Sequence, residues 1–193
     1  GEARGGGSGD YIRQAVEASL AALGTDYLDL YQHHFPDAGT PVEETLEALN
    51  ALVRQGKVRH IGCSNYTGAQ LTAALEASSR RALTPFISAQ SRYSLLTRDI
   101  EEDLVPVCLA NGVGVLPYFP LESGLLSGKY RKGEPLPEGS RFAKWRGGGS
   151  FASDARYAIV EKLAAHGESR GRTVLDLAIG WLDRDARYVE KLA

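Results

Sequence analysis

The sequence predicts an α/β fold in which parallel strands are joined by crossover helices. Short apolar, strand-like segments alternate with amphipathic, helix-like segments from residue 10 to residue 119. The alternation repeats about every 30 residues, which is the length of a strand–helix–strand unit. The chain has 193 residues, of which 43% are hydrophobic and 24% charged, and this suffices for one domain with a sizeable core.

The first predicted helix covers residues 10–23, where apolar side chains recur every three or four positions. Those side chains are Ile12, Val16, Leu20 and Leu23. Gly24 follows, a residue type that accepts the left-handed conformation found at helix ends. The predicted strands cover residues 27–35, 58–64, 86–93 and 112–119.

Threonines mark the starts of the later helices. The segment from Thr40 to Glu43 has the form of a capping box with proline at the first helical position, and the segment from Thr67 to Gln70 has a second capping-box pattern. We expect Thr97 to cap a helix that runs to about Asn111.

Residues 121–153 contain many glycines, prolines and charged residues, so they are predicted to form a long loop. Loops of that length in compact domains are usually functional or disordered. Two helices are predicted after it, over residues 154–170 and 173–183. The first should bury Tyr157 and Val160, and Thr173 should cap the second.

The composition excludes several classes of function. A net charge of −2 gives no basic surface for nucleic acid, and no apolar run reaches the roughly 18 residues of a membrane helix. No secretory signal is visible, so we predict a cytoplasmic protein. Cys63 and Cys108 form neither a disulfide framework nor a metal-binding spacing. Cys63 is interpreted as a small buried residue, with a reactive thiol as the alternative.

Polar and aromatic side chains gather where the predicted strands end. The four strand ends carry His33-His34, Ser64-Asn65, Gln90 to Tyr93, and Tyr118 to Gly124. In parallel α/β folds, ligands and substrates bind at the carboxyl ends of the strands. These four ends therefore form the predicted functional site.

The same strand ends resemble motifs of the aldo-keto reductase family, in the family's order and spacing. They are DLYQHHFPD at residues 29–37, KVRHIGCSN at 57–65, QSRY at 90–93 and PYFPLESGLLSGK at 117–129. The resemblance implies a partial (β/α)8 TIM barrel within one domain over residues 1–193. It covers about strands 4 to 7 with their helices plus two C-terminal helices. The family's first three strand–helix units and final strand have no match here.

The resemblance assigns a catalytic role to His34 and leaves His33 and His60 as structural or surface residues. His34 matches the histidine that orients the substrate carbonyl by hydrogen bonding, and a placed donor stabilises charge that develops on that oxygen. A structural histidine of the barrel is the alternative.

The cofactor residues follow from the same resemblance. Ser64, Asn65 and Gln90 match side chains that bind the nicotinamide carboxamide, for which amides offer both donors and acceptors. Turn chemistry after a strand is the alternative for Ser64 and Asn65. Tyr118 matches the aromatic residue that stacks on the nicotinamide. The stretch that wraps the pyrophosphate is matched by Phe119, Leu121, Ser123 and Gly124.

The implied function is NADPH-dependent reduction of small aldehydes or ketones by hydride transfer, with no metal. NADH is the alternative cofactor, because residues 184–193 do not match the family's 2′-phosphate pocket. No residue matches the family's proton-donating tyrosine or its lysine and aspartate, so we expect this chain to be inactive alone. Two other readings are a regulatory nucleotide-binding module and a half-barrel or gene fragment that self-associates through open sheet edges.

Overall fold

A computed structural model describes residues 6–145 and 149–184 of the chain. These residues form two compact units. The first contains described residues 6–91 and 100–116, and the second contains 92–99, 117–145 and 149–184. That residues 1–193 make one domain stays a prediction.

A four-stranded parallel sheet confirms the predicted fold class. Its strands are β1 (Leu28–His33), β2 (Val58–Ser64), β3 (Ser88–Arg92) and β4 (Gly114–Tyr118). They lie in the order β1-β2-β3-β4, so consecutive strands are neighbours. Register pairs such as His33 with Cys63 and Ser64 with Gln90 bring successive strand ends to one edge of the sheet.

Helices connect these strands, as the alternating pattern predicted. They are α1 (Gly9–Leu23), α2 (Val42–Arg54), α3 (Gly68–Arg81) and α4 (Leu104–Asn111). The core between helices and sheet contains the fully buried side chains Leu46, Leu49, Ile61, Leu71 and Phe86. Leu23, predicted on the apolar stripe of α1, is instead exposed at the end of the helix.

Two of the predicted helix ends in this unit are confirmed. Gly24 has a φ of 66° and its N–H caps the end of α1. Thr67 and Gln70 form a complete capping box at the start of α3.

The capping box predicted at Thr40 is wrong. Pro41, predicted at the first helical position, is the N-cap, so α2 begins one residue later than predicted, at Val42, and the N-cap makes no side-chain hydrogen bond. The hydroxyl of Thr40 donates instead to Oδ2 of Asp37 at 2.8 Å. The hydroxyl is oriented toward this carboxylate, with which it forms a charge-assisted hydrogen bond, and does not accept from the backbone of α2.

The cap predicted at Thr97 is also wrong. Helix α4 begins only at Leu104, after a short 3₁₀ turn at Asp99–Glu101. In the second unit, the Thr97 hydroxyl donates to Oε1 of Glu122 at 2.9 Å. The hydroxyl that the local pattern assigned to a helix cap thus forms a hydrogen bond with a buried carboxylate 25 residues away in the chain.

The long loop predicted over residues 121–153 contains helical turns in its described part, residues 121–145 and 149–153. They include 3₁₀ helices at Glu122–Ser127 and Gly149–Phe151 and the short helix α5 (Arg141–Lys144). Three apolar side chains of this region, Leu125, Leu126 and Phe142, are fully buried.

Helices α6 (Asp154–Glu168) and α7 (Val174–Arg184) complete the second unit. Tyr157 and Val160 are buried on α6, as predicted. The predicted cap of α7 is confirmed, because Thr173 Oγ1 accepts from the N–H of Asp176 at 3.1 Å. The segment after α7, residues 185–193, lies outside the described residues.

Candidate active site

Asn65 forms hydrogen bonds to the other three predicted site residues of the first unit, His34, Ser64 and Gln90. Its backbone N–H donates to the carbonyl oxygen of Gln90 at 2.9 Å. Its side-chain Nδ2 donates to the carbonyl oxygen of His34 at 3.0 Å and to Oγ of Ser64 at 3.1 Å. The ends of β1, β2 and β3 are therefore connected through one side chain and its own backbone.

The backbone of Asn65 has a φ of 60°, which is the left-handed region. Asparagine tolerates this conformation better than other residues that carry a side chain. The turn lets the chain leave β2 and enter α3, whose capping box starts two residues later at Thr67. Asn65 thus has a turn role in addition to its contacts with the other predicted residues.

An amide pair lies beside this network. Gln32 Nε2 donates to Oε1 of Gln90 at 3.2 Å. The remaining Gln32 oxygen, Oε1, is buried and has no hydrogen-bond partner among the described residues. Sequence reasoning missed Gln32, although its position two residues before His34 on a strand places it on the same face.

The neighbouring histidines occupy different environments. His34 is exposed and follows the last residue of β1. By strand alternation it shares the face of Gln32, and His33 lies on the opposite face. His33 is buried, and its Nδ1 lies 2.8 Å from the hydroxyl of Tyr66. Burial lowers the pKa of His33, although Asp37 and the backbone of Gly6 oppose the change.

The predicted site residues of the second unit follow β4. Tyr118 is half-buried, and its ring packs edge-to-face on that of Phe119 at 5.6 Å between centroids. Phe119 also contacts Phe151 edge-to-face at 5.3 Å. This aromatic row holds the start of the segment that includes Leu121, Ser123 and Gly124.

That segment turns tightly through left-handed backbone conformations. Positive φ angles occur at Phe119 (51°), Glu122 (48°), Ser123 (56°) and Gly124 (99°). Two turns result, in which Glu122 N–H donates to Phe119 oxygen at 2.9 Å and Gly124 N–H donates to Leu121 oxygen at 2.8 Å. The hydroxyl of Ser123 is buried without a hydrogen-bond partner among the described residues.

Glu122 was not predicted as a functional residue, yet its carboxylate is fully buried. It accepts hydrogen bonds from Arg92, Ser94, Thr97 and Arg156. Burial by itself would raise the pKa of Glu122, but these hydrogen bonds and the charge of Arg156 hold it below its usual value. The sequence signal was a single acid within an otherwise small and apolar stretch, Leu121 to Leu126.

The described residues contain neither a metal-binding cluster nor a membrane-spanning helix. No group of histidine, cysteine and carboxylate side chains in residues 6–145 and 149–184 could hold a metal ion. No helix in the same ranges has the length and apolarity to cross a membrane.

The sequence model of the aldo/keto reductase family matches residues 1–189. The chain belongs to the aldo/keto reductase family. This confirms the resemblance inferred from the four strand-end motifs. It also explains the parallel sheet as part of the family's barrel.

Two curated family relatives are similar over most of the chain. The aldo-keto reductase dtxS3 of Metarhizium robertsii is 36% identical over 190 residues, which cover 92% of this chain and 50% of the relative. A probable voltage-gated potassium channel subunit beta of Arabidopsis thaliana is 35% identical over 176 residues, covering 89% and 53% respectively. The chain thus spans about half the length of these relatives.

A solved structure gives the same result for the fold. The glycerol dehydrogenase AKR11B4 from Gluconobacter oxydans superimposes with a TM-score of 0.75 at 28% sequence identity. The match covers 91% of this chain and 52% of that protein. The described strands therefore correspond to part of an aldo/keto reductase barrel, as the sequence predicted.

Proposed function

We propose that this protein is an NADPH-dependent oxidoreductase that reduces small aldehydes or ketones. The observation that carries the proposal is the network around Asn65, which joins His34, Ser64 and Gln90 at the ends of adjacent strands. Family membership supplies the class of reaction.

Unsatisfied polar atoms in this chain fit the cofactor. The buried Gln32 Oε1 lacks a donor among the described residues, and an amide N–H of a nicotinamide carboxamide would provide one. The buried Ser123 hydroxyl likewise has no acceptor in residues 6–145 and 149–184, and a phosphate oxygen would provide one. Ser64, Asn65, Gln90 and Tyr118 would hold the nicotinamide, and Phe119, Leu121, Ser123 and Gly124 would hold the pyrophosphate.

His34 would act on the substrate. NADPH supplies the hydride when bound, and negative charge then develops on the carbonyl oxygen. A histidine N–H that donates to this oxygen stabilises the charge and orients the carbonyl. The exposed position of His34 leaves its ring accessible for such a contact.

Proton donation is the part of the reaction for which this chain offers no matched residue. None of its tyrosines resembles the family's proton donor in sequence context. We therefore expect residues 1–193 to bind NADPH without reducing carbonyl compounds.

A regulatory nucleotide-binding module is the second candidate. The observation in its favour is the 35% identity to a protein named as a potassium channel subunit beta. This reading keeps the cofactor residues and does not require the proton donor. It differs from the first in that carbonyl reduction would be absent from any longer form of the protein as well.

Titration of NADPH fluorescence tests the cofactor proposal. We expect saturable binding that Tyr118→Ala weakens by about tenfold or more, since stacking on the ring is lost. Tyr27→Ala, which removes an exposed tyrosine just before β1, at the opposite end of that strand from His34, is the matched control and should bind normally. No binding by the unaltered chain, or equal binding by both variants, would contradict the proposal. A parallel titration with NADH decides the preferred cofactor.

A carbonyl reduction assay then separates the readings. Turnover that His34→Ala abolishes would support the reductase and show that the expected inactivity was wrong. Binding without turnover would agree with the expectation for this chain. Turnover unaffected by His34→Ala would contradict the role of His34.

A further inference from the structure

Among the described residues, the buried carboxylate of Glu122 accepts hydrogen bonds from four side chains. Oε1 accepts from Ser94 at 2.6 Å and from Thr97 at 2.9 Å, and Oε2 accepts from Arg92 at 2.5 Å and Arg156 at 2.6 Å. Every donor belongs to the second unit: Arg92 is the last residue of β3, Ser94 and Thr97 follow that strand, and Arg156 lies on α6.

The charges in this cluster are not balanced. Two guanidinium groups meet one carboxylate, and both are largely buried, with 30% and 21% of the Arg92 and Arg156 side chains exposed. A buried ion pair is weak support for stability by itself, because removing charges from water offsets much of the attraction. Such a cluster is better explained by the geometry that it imposes.

The geometry at this point is strained. Glu122 and Ser123 are consecutive non-glycine residues whose backbones both lie in the left-handed region. Such conformations persist only where the surroundings over-determine them, and they concentrate at ligand clamps. The four donors on Glu122 provide that over-determination, because the carboxylate cannot move without breaking several charged hydrogen bonds.

The strain has a directional result. Ser123 follows Glu122 directly, and its hydroxyl points into a buried position without a partner among the described residues. A buried hydroxyl without a hydrogen-bond partner is unfavourable. An acceptor atom of a bound ligand would therefore be stabilised at this position.

We propose that Glu122 is a positioning residue that holds the left-handed turn of Glu122, Ser123 and Gly124 and so directs the Ser123 hydroxyl at a phosphate oxygen of the bound dinucleotide. This inference rests on the proposed function, since it takes NADPH as the ligand. Glu122 itself touches neither the cofactor nor the substrate.

A purely stabilising ion pair would behave differently. Its loss would lower the free energy of unfolding but leave the affinity of the folded protein for NADPH unchanged. A positioning role requires that affinity fall in protein that is still folded, together with local loosening of residues 119–128.

The test compares three variants with the unaltered chain. Glu122→Gln removes the charge at nearly constant shape, and Arg156→Gln removes only one donor in case the first variant does not fold. Asp154→Asn is the matched control, because it breaks the exposed 3.0 Å pair of Asp154 with Lys132 in the same unit. Circular dichroism confirms folding, NADPH fluorescence gives the dissociation constant, and hydrogen exchange without cofactor reports on residues 119–128.

We expect Glu122→Gln to raise the dissociation constant for NADPH by about tenfold and Arg156→Gln by a smaller factor. Exchange should accelerate over residues 119–128 in both variants and not in Asp154→Asn. A change of less than about twofold in folded Glu122→Gln protein overturns the inference, as does a similar loss in Asp154→Asn.

The failure of the proposed function gives a separate result. If the unaltered chain does not bind NADPH, the proposed cofactor is wrong, and hydrogen exchange by itself decides the structural part. Acceleration confined to residues 119–128 in Glu122→Gln supports the holding role, and unchanged exchange overturns it.

Discussion

The side-chain amide of Asn65 donates a 3.0 Å hydrogen bond to the main-chain carbonyl oxygen of His34. This bond ties the residue after β1 to the turn after β2. Since the Asn65 backbone also donates to Gln90, displacement of any one strand end disturbs the other two.

Replacing Asn65 separates its hydrogen bonds from its backbone conformation. Asn65→Ala and Asn65→Gly lose the same side-chain bonds, but only alanine is strained at a φ of 60°. We therefore expect Asn65→Ala to be less stable than Asn65→Gly by about 1 kcal/mol in urea unfolding. Equal stability of the two variants would show that the left-handed turn is unimportant.

The buried His33 predicts a loss of stability in mild acid. Its pKa is lowered from an ordinary value of 6.5 in the folded protein, chiefly by burial. Below about pH 6.5 His33 therefore binds more protons in the unfolded chain than in the folded protein. The contribution of neutral His33 to stability is lost as pH falls through its pKa in the folded protein. Urea unfolding should show the free energy of unfolding decline as the pH is lowered from about 7.5 to about 5.5.

The control for this effect is His33→Gln, in which the decline should be smaller over the same range. The carboxylates with shifted pKa values are Asp37, Glu122 and Asp176; their pKa values are lowered from 3.8, 4.5 and 3.8, so these groups titrate below this window. An identical pH dependence in His33→Gln would contradict the assignment.

Gly62 is predicted to tolerate no side chain. A Cβ at this position would lie 2.2 Å from Oγ and 3.1 Å from the carbonyl oxygen of the fully buried Ser88 on β3. Gly62→Ala should lower the free energy of unfolding by about 1–3 kcal/mol. Gly180→Ala is the opposite case, because nothing lies within 4 Å of its added carbon in α7. It should stabilise the helix by about 0.5–1 kcal/mol.

Both cysteines should be inert in the folded protein. Cys63 and Cys108 are completely buried, and burial raises the pKa of Cys63 to about 12 and that of Cys108 to about 11. The thiolate is the reactive form, so Ellman's reagent should react with neither until the chain is unfolded in urea. Rapid reaction of one native thiol, lost in Cys63→Ser, would restore the interpretation of Cys63 as reactive.

Local patterns predicted the parts of the fold that depend on local interactions. The capping box at Thr67 forms as predicted, since both of its partners lie within one helical turn. Strand β2 was predicted at its observed bounds, Val58–Ser64, from a short apolar segment.

Carboxylates outside the expected helices account for the two capping failures, one three residues away in the chain and one 25 residues away. Thr40 and Thr97 carry capping patterns, but each hydroxyl donates to a carboxylate, of Asp37 and Glu122 respectively. The contacts of Glu122 could not be predicted, since all of its donors lie at least 25 residues away along the chain. In the candidate site the named residues came from motif resemblance, while the unpaired oxygen of Gln32 emerged only from the packing of the strands.

The Glu122 cluster also predicts which residues change together among related sequences. Its members are scattered along the chain, yet each arginine depends on the acid for a counter-charge. Loss of the acid would leave two largely buried cations facing each other, which is strongly unfavourable. In relatives with a neutral residue at the position of Glu122, we expect Arg92 and Arg156 to have been replaced as well, so that these positions change together through evolution.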